Sequence, residues 1–372
     1  MVIVCPGGLE HGGGIGRQMG YFLRERRRTG SSLSYRVVDS RGPWFLGASP
    51  LHVGFAACFF ATAFVKLLAV RCGLSTPCIV HVNITGRGST VRKIILLTIV
   101  RWLKLRYLVH VHDANYAEEY YRRGAFMRAQ ITTAFRGAAK VLVLGARDEE
   151  NVSRLLQLPQ RQIAVLHNAV PDPLPELAKV PARAEPCHLL FLGHLSARKG
   201  VPELLRALAS PEVAPRRWRA TLAGGGLIDE FRHLAGDLGI ADRIDFPGWL
   251  DEAQVRLLYS SGDILVLPSH AEGLAMAVLE GLSYGLPIIT TPVGAHPEVI
   301  EPEVSGIFVP PGDVEALAAA LARVIGDKEL RKRLSTGARR RFLEDFNVRT
   351  YAERLAELHD SLLNSRDPNP IE

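Results

Sequence analysis

Short β-branched runs alternate with longer helix-like segments along the whole of this 372-residue chain. In the first half the strand candidates are Val2–Cys5, Tyr35–Val38, Ile79–Val82, Tyr107–Val111, Lys140–Leu144 and Ile163–Leu166. Between them lie helical candidates at Gly16–Arg28, Gly54–Arg71, Val91–Leu105, Phe126–Phe135 and Ala146–Leu156. This alternation predicts a parallel sheet wrapped by helices. Proline then accumulates at 171, 173, 175, 181 and 186. That density removes backbone donors and blocks helix, so it reads as a linker. Beyond it the alternation restarts, with strands predicted at His188–Leu192, Ala220–Ala223, Ile244–Phe246, Ile264–Leu267, Pro287–Thr290 and Gly306–Val309. The expected α/β architecture is two doubly wound, Rossmann-like domains: residues 1–170, a linker over 171–186, and residues 187–347. A final amphipathic helix, about 348–372, is expected to return to the first domain. Ligands of such sheets sit beyond the carboxyl ends of the strands, so a cleft between the domains is the expected site.

Charge is distributed unevenly. Residues 1–130 hold 18 Lys/Arg against 6 Asp/Glu, although the net charge of the whole chain is only +7. Such a field attracts phosphates, anionic lipid headgroups or nucleic acid, or is simply a solvated arginine-rich surface. The five cysteines, at 5, 58, 72, 78 and 187, form no C-x-x-C pair, which excludes a zinc knuckle or disulfide framework of the usual spacing and fits a reducing cytoplasm. The opening residues lack the charged-then-apolar run of a secretory signal. The most apolar stretch, Val53–Val65, is 13 residues long. A spanning helix needs about 17–25 residues, so a buried or interfacial helix is expected there.

Glycine-rich turns follow several strands. Gly7-Gly8 through Gly12-Gly13-Gly14-Ile15-Gly16 follows the first strand and opens a helix. Its glycines permit close backbone approach, and helix-start N–H groups attract anions. The third glycine of a dinucleotide fingerprint is missing, which weakens a dehydrogenase reading. Gly193 to Gly200 repeats the arrangement with adjacent cations Arg198 and Lys199, a combination suited to a diphosphate. Ala223-Gly224-Gly225-Gly226 and the turn ending in Trp249 are placed beside the same ligand, with Trp249 either against a base or in the core. Ser269 to Glu280 is the most informative stretch. Glu272 is expected in a loop, Gly273, Leu274 and Ala275 at a helix start, and Glu280 in the second turn. Two carboxylates so placed can accept hydrogen bonds from vicinal hydroxyls. In the first half, His110 and His112 alternate onto one face, and His112-Asp113 ends a strand. No third metal ligand stands at fixed spacing and no D-x-D triplet occurs, so metal-bridged diphosphate chemistry is not expected.

These residues resemble the retaining glycosyltransferases of family 4, which have the GT-B fold. The resemblance rests on Glu272 and Glu280 in an E-x7-E arrangement, the Gly193…Arg198-Lys199-Gly200 loop, Gly13-Gly14, and His112-Asp113. It implies that Arg198 and Lys199 stabilise the departing diphosphate and that Glu280 holds the ribose hydroxyls. It further implies that Glu272, with the amides of Gly273, Leu274 and Ala275, holds donor sugar and phosphate. Gly14 would approach the phosphate from the other domain, and His112 would contact the transferred sugar. Two departures stand out: His194 occupies a position where many members carry Arg, and Ala275 one where Gly or Pro is frequent. The segment Ile79–Asn83 with Arg87–Lys93 also resembles bacterial exopolysaccharide and O-antigen transferases. That implies a polyprenyl-diphosphate-linked or glycan acceptor, met at the inner face of the cytoplasmic membrane.

The expected activity is therefore transfer of a hexose from a UDP- or GDP-sugar, without metal or other cofactor and without a nucleic-acid partner. A sugar-nucleotide epimerase of the same architecture and a non-catalytic nucleotide-sugar-binding protein are the competing readings. Acceptor dependence separates the first, and absence of nucleotide release the second.

Overall fold

A computed structural model describes residues 1–5, 9, 13–30, 33–40, 58, 61–69, 78–86, 88–113, 116–173 and 186–365. Gly7, Gly8 and Gly12 of the first loop, most of Val53–Cys58, Arg87, the linker over 174–185 and the tail over 366–372 lie outside them. Two compact units are present: Met1–Asn168 with Val348–Glu372, and Ala169–Asn347.

The first unit carries six parallel strands in the order β2-β1-β3-β4-β5-β6. They are β1 (Val2–Cys5), β2 (Arg36–Asp39), β3 (Ile79–Ile84), β4 (Arg106–Val111), β5 (Lys140–Val143) and β6 (Ile163–Val165). Strands β1, β3 and β4 are buried on both faces, apart from the first residue of β4, which is why they read as nearly continuous apolar runs. Helices α1 (Gly13–Arg28), α2 (Gly88–Trp102), α3 (Tyr116–Tyr121), α4 (Ala125–Arg136) and α5 (Ala146–Leu156) connect them, and residues 61–69 are helical.

Helix α1 starts three residues before the predicted Gly16, so Gly13 and Gly14 form its first turn rather than a loop. The first amides of a helix need no intrahelical acceptor, and glycine therefore costs little there. Likewise α2 starts at Gly88 and stops at Trp102, because Lys104 takes a left-handed φ of 54° that ends the turn.

The second unit also has six parallel strands, in the order β12-β11-β10-β7-β8-β9. These are β7 (Cys187–Leu192), β8 (Trp218–Ala223), β9 (Ile244–Gly248), β10 (Ile264–Leu267), β11 (Ile288–Thr290) and β12 (Gly306–Phe308). Helices α6 (Val201–Leu208), α7 (Ile228–Asp237), α8 (Glu252–Ser261), α9 (Met276–Ser283), α10 (His296–Val299), α11 (Val314–Gly326) and α12 (Lys328–Arg341) cover the sheet. The α/β class and the two doubly wound sheets expected from the alternation are thus present.

A π-turn over Phe342–Phe346 follows α12, and its Phe342 and Phe346 rings are buried. Three residues before this turn, Arg339 donates through one guanidinium nitrogen to both carboxylate oxygens of Asp172, each at 2.8 Å. Part of the proline-rich segment is therefore fixed to α12 by this ion pair, while the other terminal nitrogen of Arg339 donates to the Ser283 carbonyl at 2.7 Å. The last helix, α13 (Val348–Asn364), packs on α1 in the first unit, where Tyr351 and His359 meet the edge of Phe22. Arg106 fastens its end by donating to the carbonyls of Leu362 and Ser365 at 2.7 and 2.8 Å.

Candidate active site

Strand order locates the site within the second sheet. The chain runs from β7 outward through β8 to β9, then returns to the other side of β7 as β10. The direction of winding reverses between β7 and β10, and the loops leaving these strands must diverge there, opening a crevice. The loop after β7 carries Arg198 and Lys199; the loop after β10 carries Glu272 and Gly273. Topology thus brings together two motifs more than seventy residues apart in sequence.

The contact between the loops is direct. The Lys199 ammonium pairs with Glu272 Oε1, and both side chains are largely buried. Ser269 Oγ donates to the same oxygen at 2.9 Å. Arg198 does a different job: it is exposed, its guanidinium donates to the Ala271 carbonyl, and its own carbonyl accepts from the His270 amide at 2.9 Å. The two adjacent cations occupy a 3-10 turn, Ala197–Lys199, with α6 beginning just after Gly200. His194 is exposed beside them.

Behind Glu272 lies the turn after β11. Gly294 has φ +54°, and a Cβ there would come within 2.1 Å of the Glu272 carbonyl and 2.2 Å of the Gly273 carbonyl. Only glycine fits this approach. The Ala295 amide donates to Gly273 O at 2.8 Å, which fixes the Glu272 loop from below. Next to it, the fully buried His296 ring places Nδ1 3.1 Å from the Thr291 carbonyl and 3.2 Å from Thr290 Oγ1. Thr291 O can only accept, so Nδ1 carries the proton. Burial holds this imidazole below its ordinary range, with the Glu272 charge pulling the other way.

Leu274 and Ala275 are buried, and Ala275 caps α9. Glu280 follows in the second turn of α9, 8% exposed, and Tyr259 from α8 donates to its Oε2 at 2.9 Å. Tyr259 stacks on Tyr284, ring centroids 5.3 Å apart. Gly224, at the tip of β8, has its Cα against the Gly193 carbonyl, where a Cβ would approach to 1.9 Å, and its amide donates to Gly248 O. Trp249 is 73% exposed, which rules out the core placement that its sequence left open. A ring presented to solvent at the strand tips can stack on a planar ligand.

In the first unit Gly13 and Gly14 are exposed at the start of α1. His112 follows β4, and its ring lies 4.1 Å from that of His110, as the alternation predicts. Asn83 donates through Nδ2 to Val4 O at 3.2 Å, so its Oδ1 accepts from His112 Nε2 at 2.8 Å. The neutral His112 ring then offers Nδ1 as an acceptor; burial lowers its pKa to about 3, which keeps it neutral. Asp113 Oδ2 accepts the Gly86 amide at 2.6 Å. A chain of imidazoles runs deeper, through His110 and His81 to His359, whose Nε2 is 3.2 Å from His81 Nδ1. No cluster of three or more His, Cys, Asp or Glu side chains suited to a metal ion occurs among the described residues.

The sequence placed Ser269 within the informative stretch without a role of its own, and gave no part in the site to Tyr259, Gly294 and His296. The Gly294-Ala295-His296-Pro297 turn after a predicted strand was a usable signal; Tyr259 had none, because its partner lies 21 residues away on another helix.

Residues 176–341 match the family of glycosyl transferases group 1. This segment, somewhat under half of the chain, is similar to that family, and the fold is GT-B. The chain is 27% identical over 275 residues to the alpha-D-kanosaminyltransferase of Streptomyces kanamyceticus, covering 70% of this chain and 71% of that protein. It is 30% identical over 158 residues to the lipopolysaccharide core biosynthesis glycosyltransferase LpsE of Rhizobium meliloti, covering 42% of this chain and 45% of that one. Among solved structures it resembles Anabaena Alr3699/HepE in complex with UDP, with TM-score 0.74 and 17% identity over 97% of this chain and 99% of the other.

Proposed function

We propose that this protein is a retaining, metal-independent hexosyltransferase. It moves a sugar from a UDP- or GDP-sugar to a lipid-linked or polysaccharide-precursor acceptor. The observation that carries this reading is the Lys199–Glu272 pair, set at the crevice between β7 and β10 and immediately before helix α9. An ammonium has three donors, so the pair leaves Lys199 able to bind phosphate while Glu272 accepts sugar hydroxyls. The start of α9 and Arg198 add positive potential for the second phosphate. As the glycosidic bond breaks, charge grows on the diphosphate, and these fixed donors stabilise it without rearrangement. The acceptor hydroxyl attacks from the face the nucleotide leaves, and no protein nucleophile takes part. Glu280 holds the ribose, Trp249 lies against the base, and His112 Nδ1 accepts from a hydroxyl of the transferred sugar. Gly13 and Gly14 at the start of α1 belong to the donor's phosphate side.

The relative acting in lipopolysaccharide core biosynthesis supports a lipid-linked acceptor. The cationic first unit supports a peripheral position at an anionic membrane surface on the cytoplasmic side. Among the described residues no helix is long and apolar enough to cross a membrane.

The test is a panel of UDP-, GDP- and ADP-sugars, each with polyprenyl-diphosphate-linked acceptors and with a chelator present. Nucleoside diphosphate release that requires acceptor, together with an α-linked product from an α-linked donor, is expected. Donor conversion without acceptor, or an inverted anomeric centre, contradicts the proposal.

A further inference from the structure

We infer that Tyr259 is a positioning residue for nucleotide recognition, holding the Glu280 carboxylate in the orientation that receives the ribose. The inference rests on the reading of Glu280 as the ribose ligand and adds to it a residue that reading does not contain.

Glu280 stands on the buried side of α9, between Leu279 and Gly281, where a carboxylate has little access to water. A glutamate side chain has three rotatable bonds, and a ligand that must accept two ribose hydroxyls needs them fixed. Tyr259 supplies the constraint. Its hydroxyl donates to Glu280 Oε2 at 2.9 Å, and the ring is 1% exposed. Because a phenol can turn about its bond to the ring, the ring itself must be held, and it is: Tyr284 stacks on it at 5.3 Å with 19° between planes. Helix α8 is anchored in turn by a capping box, in which Asp251 Oδ1 accepts the Gln254 amide at 2.8 Å and Gln254 Oε1 accepts the Asp251 amide at 3.0 Å. The carboxylate thus takes its direction from the preceding helix, 21 residues away across β10. An oxygen that accepts one hydrogen bond keeps a second lone pair, so the Tyr259 bond is compatible with ribose binding. Where a hydrogen bond to a charged group fixes that group, removing it releases the group and not only the bond.

The experiment measures equilibrium binding of UDP, GDP and ADP, taking forward the nucleotide that binds with its 2′-deoxy and 3′-deoxy analogues. The proteins are wild type, Tyr259→Phe, Tyr259→His and Glu280→Gln. In wild type, loss of a ribose hydroxyl should weaken binding by about tenfold or more. In Glu280→Gln that penalty should shrink to about threefold or less. The inference expects Tyr259→Phe to shrink it similarly, with thermal unfolding close to wild type, and Tyr259→His, which restores a donor, to recover part of it. A purely structural tyrosine would weaken ribo- and deoxynucleotides equally and leave their ratio unchanged. A full deoxy penalty in Tyr259→Phe overturns the inference while leaving Glu280 as the ribose ligand. No penalty in wild type, or no binding of any of the three nucleotides, overturns the Glu280 reading and the inference with it.

Discussion

Replacing Lys199 by Met separates what the Lys199–Glu272 pair contributes to folding from what it contributes to turnover. The two side chains are 14% and 9% exposed, so the variant leaves a nearly buried carboxylate with Ser269 as its remaining described partner. Breaking a buried pair from one side costs about 3–5 kcal/mol. Some solvent reaches this pair, so a loss near about 3 kcal/mol is expected. Domains hold about 5–15 kcal/mol in reserve, and the variant should still fold. Adding Glu272→Gln removes the stranded charge and should return most of that stability, because an amide keeps the Ser269 bond. Turnover should behave otherwise. Loss of a donor to the leaving diphosphate costs about 10²-fold, equal to about 2.7 kcal/mol of transition-state stabilisation. The second substitution supplies no cation and cannot restore it. Urea unfolding and initial rates of diphosphate release, measured on the single and double variants, test both halves. A double variant that regains turnover together with stability refutes the reasoning, since the pair would then be a structural brace.

Three further outcomes follow from the geometry. His359 is buried and neutral, its pKa lowered to about 3 by desolvation first and by neighbouring positive charge second. Its stabilisation is therefore complete above about pH 6.5 and is lost as pH falls, because only the unfolded chain takes up the proton. Between about pH 8 and 5.5 that amounts to about 1 kcal/mol for this residue, and His81 and His110 shift the same way. His359→Gln should flatten the acid limb of a stability-versus-pH curve, and an unchanged slope would show that the ring takes up a proton as readily in the fold as in the unfolded chain. Gly294→Ala forces a Cβ against two carbonyls at a positive φ; it should cost about 2 kcal/mol or more in urea unfolding, and an Ala variant as stable as wild type would mean the turn can move aside. Trp249→Ala should raise the donor KM by about tenfold with kcat little changed, as loss of one stacking face does; a KM at the wild-type value removes Trp249 from the base site.

The sheets were legible because parallel strands buried on both faces are written largely in apolar residues, continuously in Ile264–Leu267, and with β-branched residues flanking the buried His81 and Asn83 in Ile79–Ile84. Helix beginnings were less legible. Gly13 and Gly88 open α1 and α2, although glycine argues for a loop, because a first turn asks little of its residues. Within the site, residue types close in sequence could be read: Lys199, Glu272 and Glu280 stand out from their own neighbours. What could not be read was which groups they hold. Arg198 and Lys199 look interchangeable as adjacent cations, yet one grips a backbone carbonyl and the other a carboxylate. That difference is set by where β10 returns beside β7. Tyr259, Gly294 and His296 act on the site from elements whose distance from it collapses only on folding.

The central claim is that the loops after β7 and β10 form a nucleoside-diphosphate site centred on Lys199. It is tested most directly by equilibrium binding of a nucleoside diphosphate and of its parent nucleoside to wild type and to Lys199→Met. The account predicts that wild type prefers the diphosphate by about a hundredfold or more, and that the variant loses most of this preference while binding the nucleoside as before. A preference that survives in the variant, or an equal loss for both ligands, would contradict it.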